Sequence, residues 1–581
     1  MATGEVWREP EVLDTDVAVV GSGGAGLMCV LHALTARPEL DVTVVSKGAV
    51  GRSGCTRMVQ GGYNAVLDPD DSVDLHLRDT VQGGKFLNDQ SLARTLVDDA
   101  PRVINELETR VGCFFDRRPD GRIHQKAFAG QAFDRTVHRG DLTGIEIMGR
   151  LRDQMFRLGP RELEDVRALD LVHDAEGELA GLTALNVRTG DPLVLRARVV
   201  VVATGGSATM YRVAAPAREK TGDGVAMCWR AGLPMRDMEM LQFHPTGLLA
   251  GKSRMTGAVL EEGLRGAGAH LYNAAGERYM ARYDAERMER STRDVVARAG
   301  YLEIMAGRGT DEGGVLIDIS HLGSGEVERC FPGMVARTRQ IEQDLAIGPV
   351  QVSPTAHFHM GGVLIDADGR TDVDGLLVAG EDAGGTHGAN RLGGNGVAES
   401  TVFGARAGDT AARLARQRRL RTPERTEVNA SLARAYAPLT RSLGPWPFDL
   451  TRRLKELMWR SVGVVRDGAS LEHAGKELDA LADEIEHIAV PGPPQVNFAW
   501  QEALDLANQV TVARAMAHAA AWRTETRGAH ARSDFPDTDA RPRYLVQRAA
   551  GDGPTGAIES EVRDVEFSHL RPADLDGRPG S

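Results

Sequence analysis

The sequence predicts an α/β fold with an inserted α+β cap, a helical bundle after it and an irregular tail, on three observations. Residues 15–46 read as a strand, a glycine-rich turn, a helix and a second strand. Residues 164–202 alternate as a strand meander that ends in the apolar run 199–203 (VVVVA) and turns at Thr204-Gly205-Gly206. From 407 onward, apolar residues recur at helical spacing.

The first unit carries the most specific signal. The apolar strand Val17 to Val20 runs into Gly21-Ser22-Gly23-Gly24-Ala25-Gly26, a helix follows to about Leu34, and Val42 to Val45 forms the second strand. This is G-x-G-x-x-G between a strand and a helix, the Rossmann-like arrangement. Its glycines let the backbone approach a pyrophosphate, and the helix N-terminus offers free N–H groups and a positive dipole end. The acid that usually ends the second strand to hold a ribose is replaced by Ser46-Lys47, which argues against a plain NAD site.

The segment 51–62 is small and polar, with Cys55, Thr56, Gln60, Gly61 and Gly62, and suits a chain lying against a flat ligand. Residues 70–110 have helical spacing (Leu92, Leu96, Val97, Val103, Leu107), and 114–144 are loop-like. The turn Ala203-Thr204-Gly205-Gly206 brings the chain back to the nucleotide after the meander, and Thr221-Gly222-Asp223-Gly224 opens another helix. Asp223 is a candidate for the ribose that lacks an acid at position 46.

Between 240 and 350, strand-like pieces (Gly257 to Leu260, Val315 to Asp318) mix with a charged helical stretch, Asp284 to Ala306, as in an inserted cap. The chain returns through a strand at 375–378 that ends in Ala379-Gly380-Glu381-Asp382. A second glycine-rich loop, 386–396, precedes a helix from Val397 to about Arg418. Two helical stripes follow, Leu454/Leu457/Met458/Val465 and Leu471/Leu478/Leu481/Ile485/Ile488, and a last helix spans about Trp500 to Trp522. The tail from 526 is rich in Arg, Asp and Pro, and its end, after about 567, is expected to lack order. The expected division is 1–239 with 355–406 for the nucleotide domain, 240–354 for the cap, 407–525 for the helical domain and 526–581 for the tail.

A chain of 581 residues exceeds one core and fits about three or four lobes. A net charge of -13 disfavours nucleic acid, because binding phosphates needs a cationic surface. The five cysteines are scattered with no C-x-x-C, so the sequence carries no zinc or iron–sulfur signature, and the odd count fits a reducing compartment. No export signal is visible at the start, and no run approaches the ~18 apolar residues of a membrane span.

Eleven motifs in register resemble the flavoprotein subunit of succinate dehydrogenase and fumarate reductase, in the superfamily that also holds L-aspartate oxidase. They run over residues 14–537: GSGGAG (21–26), TRMVQGG (56–62), ATGG (203–206), LQFHPTG (241–247), EGLRG (262–266), STRDVVAR (291–298), PTAHFHMGG (354–362), AGED (379–382), HGANRLGGNG (387–396), MWRSVGVVRD (458–467) and RGAHARSDFP (527–536). The resemblance implies FAD, held by residues 21–26, Ser46, Lys47, 55–56, 60–62, 203–205, Asp223, Glu381, Arg391, Gly396 and Val397. It implies a succinate or fumarate dianion and hydride transfer at flavin N5.

By position, the resemblance assigns the substrate carboxylates to His244, His357 and Arg391, with Phe128 in the substrate loop. Arg suits one carboxylate because its fork binds bidentately. Arg293 matches the proton donor or acceptor, and Glu262 and Asp294 match its relay carboxylates. Without this register, Arg293 beside Asp294 would be read as a surface ion pair at a helix start, and Glu262 as a solvated charge. The implied partners are a separate iron–sulfur subunit and, beyond it, a membrane anchor and a quinone. The implied place is the cytoplasm, peripheral to the inner membrane.

Two departures stand out. The family's histidine that tethers FAD falls on Cys55, so a noncovalent FAD is expected and fumarate reduction becomes the easier direction. The family's Thr before the relay Glu falls on Glu261, a carboxylate that repels a dianion unless protonated or paired. Against the oxidase stands the Phe128-bearing run 126–131 (KAFAGQ). The alternatives are a stand-alone L-aspartate-oxidase-like enzyme, a soluble fumarate reductase, or a flavin-holding scaffold without turnover.

Overall fold

The computed structural model describes residues 7–550 and 556–574. Its main sheet runs in the order Arg161–Glu164, Val42–Ser46, Glu11–Val20, Pro192–Val202, Leu179–Asn186, Val166–His173, and Leu376–Val378 also pairs with Pro192–Val202. The nucleotide half is parallel and the meander antiparallel. Val17, Val19, Val44, Val199 and Val201 are fully buried, as parallel strands covered on both faces require.

Helix Gly24–Ala36 packs against helix Asn395–Gln417 at very short range. A Cβ on Gly404 would stand 2.4 Å from the carbonyl of Ala25, and one on Gly408 2.4 Å from that of Cys29. Small residues on this seam therefore bring two helix N-termini to the same place, the C-terminal edge of the sheet.

The cap is a four-stranded antiparallel sheet, Leu241–Leu248, Val350–His359, Val315–Asp318 and His270–Tyr272. It has its own apolar centre, including Leu248, Leu271, Val296, Ile317 and Val352. Its two long strands pair His244 with Thr355, which sets His244 and His357 on one end of the cap.

The bundle helices Arg425–Thr440, Pro447–Ser461, Gly468–Ile485 and Phe498–Trp522 bury Leu454, Met458, Leu471, Leu478, Leu481, Ile485 and Ile488. These merge with the apolar face of the meander in one core.

Several expectations change in detail. Gly257 to Leu260 is not a strand, since only Val259 bridges to Gly247. The helix expected from Asp284 starts at Arg293, because Asp284 instead accepts from the backbone N–H of Arg287 in a turn. The helical stretch 70–110 is two helices, Val73–Gly83 and Gln90–Glu106, the second continued by a wider turn at Leu107–Val111. They are separated by Lys85 and Phe86 at positive φ. The tail adds two antiparallel strands, Arg543–Ala550 and Ala557–Asp564, the first paired with Met235–Arg236. Of the end expected to lack order, residues 572–574 form a short turn, and 575–581 lie outside the described residues.

Candidate active site

One cavity of about 620 Å³ collects most of the candidate residues. Its long arm is walled by Gly21 to Ala25, Ser46, Lys47, Cys55, Thr56, Gln60 to Gly62, Ala203 to Gly205, Asp223, Glu381, Gly396 and Val397. Its other end holds Phe128, His244, Glu261, Glu262, Arg293, His357 and Arg391. Gly26 lies one residue further, packed on the turn it closes. A Cβ there would stand 2.0 Å from the Gly21 carbonyl, and one on Gly21 2.0 Å from that of Ala203.

The long arm fits an extended dinucleotide. Gly21 and Gly205 adopt φ of 110° and 88°, open only to glycine at low cost. A Cβ on Gly206 would fall on Glu381, and one on Gly394 on Asn64, so the wall is drawn in to backbone thickness. Helices Gly24–Ala36 and Asn395–Gln417 both begin at this wall, where their free N–H groups and dipoles favour a pyrophosphate or an anionic ring. Residues 21–26, 203–206 and 394–397 are thus the ones that would hold FAD.

Polar residues along this arm are engaged with one another. Ser22 and Ser46 share a hydrogen bond of 2.9 Å, and the Gly24 N–H donates to Thr56 at 3.0 Å. Asp223 lines the cavity, but its oxygens accept from Lys47 (2.7 Å), Arg167 (3.3 Å) and Asn508 (2.8 Å). Burial alone would raise its pKa, and Lys47 and Arg167 outweigh that and hold it far down. Asp505 joins the same network, so the last bundle helix reaches the edge of the nucleotide arm.

Glu381 accepts from the His359 N–H at 2.9 Å and pairs with Lys220. Asp382 accepts from the Gly205 N–H (2.8 Å) and the Thr204 hydroxyl (2.9 Å), and burial pushes it up to about 7. Cys55 sits on the cavity wall, and burial pushes its thiol above the ordinary value. It is therefore protonated near neutrality and a poor nucleophile.

The other end is buried and dense in charge. Arg293 donates to Glu262 Oε2 through Nε (2.8 Å) and Nη2 (2.5 Å), and to Gln242 Oε1 at 3.1 Å. Arg265 donates to the other Glu262 oxygen at 3.0 Å and to the carbonyl of Glu289 at 2.7 Å. Burial would raise Glu262, and its two guanidinium neighbours outweigh this and keep it below the usual range.

Arg391 stacks 4.3 Å from the Phe358 ring centre, and its Nε has no hydrogen-bond partner among the described residues. Burial and the nearby Arg293 depress it to about 9. His244 and His357 stand edge-on, 5.5 Å between ring centres. Burial drives both well below their ordinary value. For His244, Arg293 and His357 add to it, and for His357, Arg391 and Arg293. Both are neutral at pH 7, each with one N–H to give.

Arg293 and Arg391 line this end beside the two neutral imidazoles; Arg293 is already paired with Glu262, and Glu261 adds a second carboxylate to the same wall. Guanidiniums and imidazole N–H groups are donors suited to carboxylates.

Two candidates stand differently. Asp294 is buried but faces a small void beside Gln242 and Arg298, and its Oδ1 has no hydrogen-bond partner among the described residues. Glu261 does face the cavity, paired with Lys126 at 3.3 Å. Arg265, Gln242, Lys220 and Asp382 were not among the candidates. Gln242, Arg265 and Asp382 lie inside the matching motifs, and a buried polar or charged residue within a motif is the available signal; Lys220 lies outside them and gives none.

Comparison with known proteins follows the same lines. The FAD binding domain family matches residues 16–397, and the fumarate reductase flavoprotein C-terminal family matches 451–576. A polypeptide of the fumarate reductase (CoM/CoB) of Methanothermobacter marburgensis is 40% identical over 92% of this chain and 97% of its own. The succinate dehydrogenase flavoprotein subunit of Coxiella burnetii is 34% identical over 90% and 92%. A solved variant of E. coli quinol fumarate reductase FrdA superposes with a TM-score of 0.90 at 30% identity, over 97% of this chain and 98% of that one. Among the described residues, no helix is long and apolar enough to cross a membrane. The chain belongs to the succinate dehydrogenase/fumarate reductase flavoprotein subunit family and is an FAD-dependent oxidoreductase.

Proposed function

We propose that this chain interconverts succinate and fumarate as the catalytic flavoprotein of a larger assembly, on the cytoplasmic face of the inner membrane. Electrons would pass to a separate iron–sulfur subunit, then onward to a membrane anchor and a quinone. The observation that carries the reading is the convergence of Arg293, Arg391, His244 and His357 on the cavity whose glycine-rich wall would hold FAD. The names of the relatives support it, and the five scattered cysteines, which make no cluster motif, support a separate electron carrier.

Bound FAD supplies the hydride chemistry at N5. The protein's own groups do the rest. Arg391 clamps one carboxylate, and the N–H groups of His244 and His357 fix the other end. This holds the alkene rigid and stabilises charge that develops on the clamped carboxylate. Arg293 stands at the pocket with its proton, and the Glu262–Arg265 pair behind it replaces that proton from the cap side. A guanidinium is a weak acid, so its use requires this buried relay and the cationic crowding that lowers its neighbours. Cys55 at the position of the family's tethering histidine supports a noncovalent FAD and, with it, fumarate reduction as the easier direction.

The second reading, a stand-alone oxidase of L-aspartate, gains from Glu261 on the cavity wall, which would suit an ammonium. Lys126 already occupies that carboxylate. The test is anaerobic oxidation of a reduced viologen dye by fumarate, run beside peroxide release from L-aspartate in air. Fumarate turnover alone supports the first reading, and peroxide from aspartate without fumarate turnover overturns it.

A further inference from the structure

Glu261 is 2% exposed, yet it belongs to the wall of the cavity that also holds His244, Arg293 and Arg391. Its Oε2 accepts from Lys126 Nζ at 3.3 Å, and its Oε1 accepts no hydrogen bond among the described residues. Lys126 does not line the cavity, although its Nζ lies 5.8 Å from the ring centre of Phe128, which does.

The charged groups around it come from each packed element. They are Lys126 and Asp141 from the 125–143 loop, Glu262 from its own segment, and Arg337 from helix Pro332–Arg339. Arg337 spends one N–H on the carbonyl of Val259 at 2.8 Å. Asp141, with one oxygen unpartnered among the described residues, adds negative charge behind Glu261. Burial raises Glu261, and Lys126 only partly offsets this. Before substrate enters, the pocket tolerates the paired carboxylate. A dianion arriving at its front meets a like charge in a place with little water to screen it.

We propose that Glu261 takes up one proton as the dicarboxylate binds and donates it, as an O–H hydrogen bond, to a substrate carboxylate. The proton comes from solvent and returns when the product leaves, so the step is a binding linkage and not part of the redox balance. Glu261 is thereby a positioning residue that makes affinity for the dianion depend on pH, while Lys126 sets where that dependence begins. This inference rests on the succinate/fumarate reading.

The test uses the FAD-loaded full chain and fumarate. Calorimetric titration at pH 8 in two buffers of different ionisation enthalpy counts protons taken up per fumarate bound. About one proton is expected for the wild type and near zero for Glu261→Gln, since an amide cannot titrate. In the viologen assay, KM for fumarate should rise about tenfold per pH unit above its break in the wild type and stay flat in Glu261→Gln. Lys126→Met should move the break to higher pH, because the carboxyl loses its counter-cation. Equal proton uptake and equal KM slopes in wild type and Glu261→Gln would overturn the proposal while fumarate turnover still stands. Absence of both fumarate binding and turnover in the wild type overturns the underlying reading instead, and this proposal with it.

Discussion

Replacing Glu262 by Gln tests the heart of the site. Glu262 accepts three N–H bonds from two guanidiniums, at 2.8, 2.5 and 3.0 Å, and is 2% exposed. Glutamine has one acceptor oxygen, and its NH₂ would face a guanidinium donor, so at least one of those bonds is lost. The change also leaves Arg293, Arg265 and Arg391 together in a buried space with no carboxylate between them. Removing one partner of a buried ion pair costs about 3–5 kcal/mol, here partly returned when a dianion binds. Substrate affinity should therefore hold or improve.

The chemical step should fall, because an amide cannot pass a proton to Arg293. Loss of a positioned acid or base costs about a hundred- to ten-thousandfold in rate. The assay is viologen-linked fumarate reduction, with flavin content and melting temperature measured on the same preparation. The expected outcome is kcat down by at least about a hundredfold, full flavin and an unchanged or lower KM. Retention of kcat within about threefold, a change under 1 kcal/mol, would refute the relay and leave Glu262 a purely structural counter-ion.

Three further outcomes are expected. His32 binds Asp409 at 3.0 Å and Glu106 at 3.1 Å, joining three helices behind the nucleotide arm. Burial pushes it down, but the two carboxylates outweigh burial and raise it to about 9, above an unfolded value of 6.5. Its stabilisation is complete below pH 6.5 and lost as pH rises through 9, on the order of 3 kcal/mol, so His32→Gln should flatten the alkaline fall in melting temperature. Gly26→Ala should yield protein stripped of flavin, read from the ratio of flavin to protein absorbance, because its Cβ would meet the Gly21 carbonyl. Acid denaturation of the wild type should release all flavin, and a peptide carrying Cys55 with flavin mass attached would contradict the protonated, unreactive thiol.

Much of the fold was legible because it depends on local pattern. The strand–glycine–helix unit, the meander, the return strand and the two bundle stripes each announce themselves within a few dozen residues. The boundaries that moved are those where side chains choose a turn over a longer element. Asp284 accepting from Arg287 delays a helix to Arg293, and Val259 makes a single bridge where the run 257–260 suggested a strand. The two tail strands pair with each other, and what joins them to the rest of the fold is the pairing of the first with Met235–Arg236, about three hundred residues earlier, which no local window contains.

Local residue types suffice to mark the FAD fold and the family, since the eleven short motifs stand in a fixed order. They also nominated His244, Glu262, Arg293, His357 and Arg391, through those motifs. What tertiary structure alone decided is how charges are shared. Glu262 is divided between Arg293 and Arg265, Asp223 is taken by Lys47 and Arg167, and Asp294 borders a small void beside Gln242. It also placed Glu261 on the cavity wall, paired with Lys126. The reason is that electrostatic roles depend on distance, burial and competing partners. These are fixed by the meeting of cap, sheet and bundle segments hundreds of residues apart, and no local window of sequence contains them.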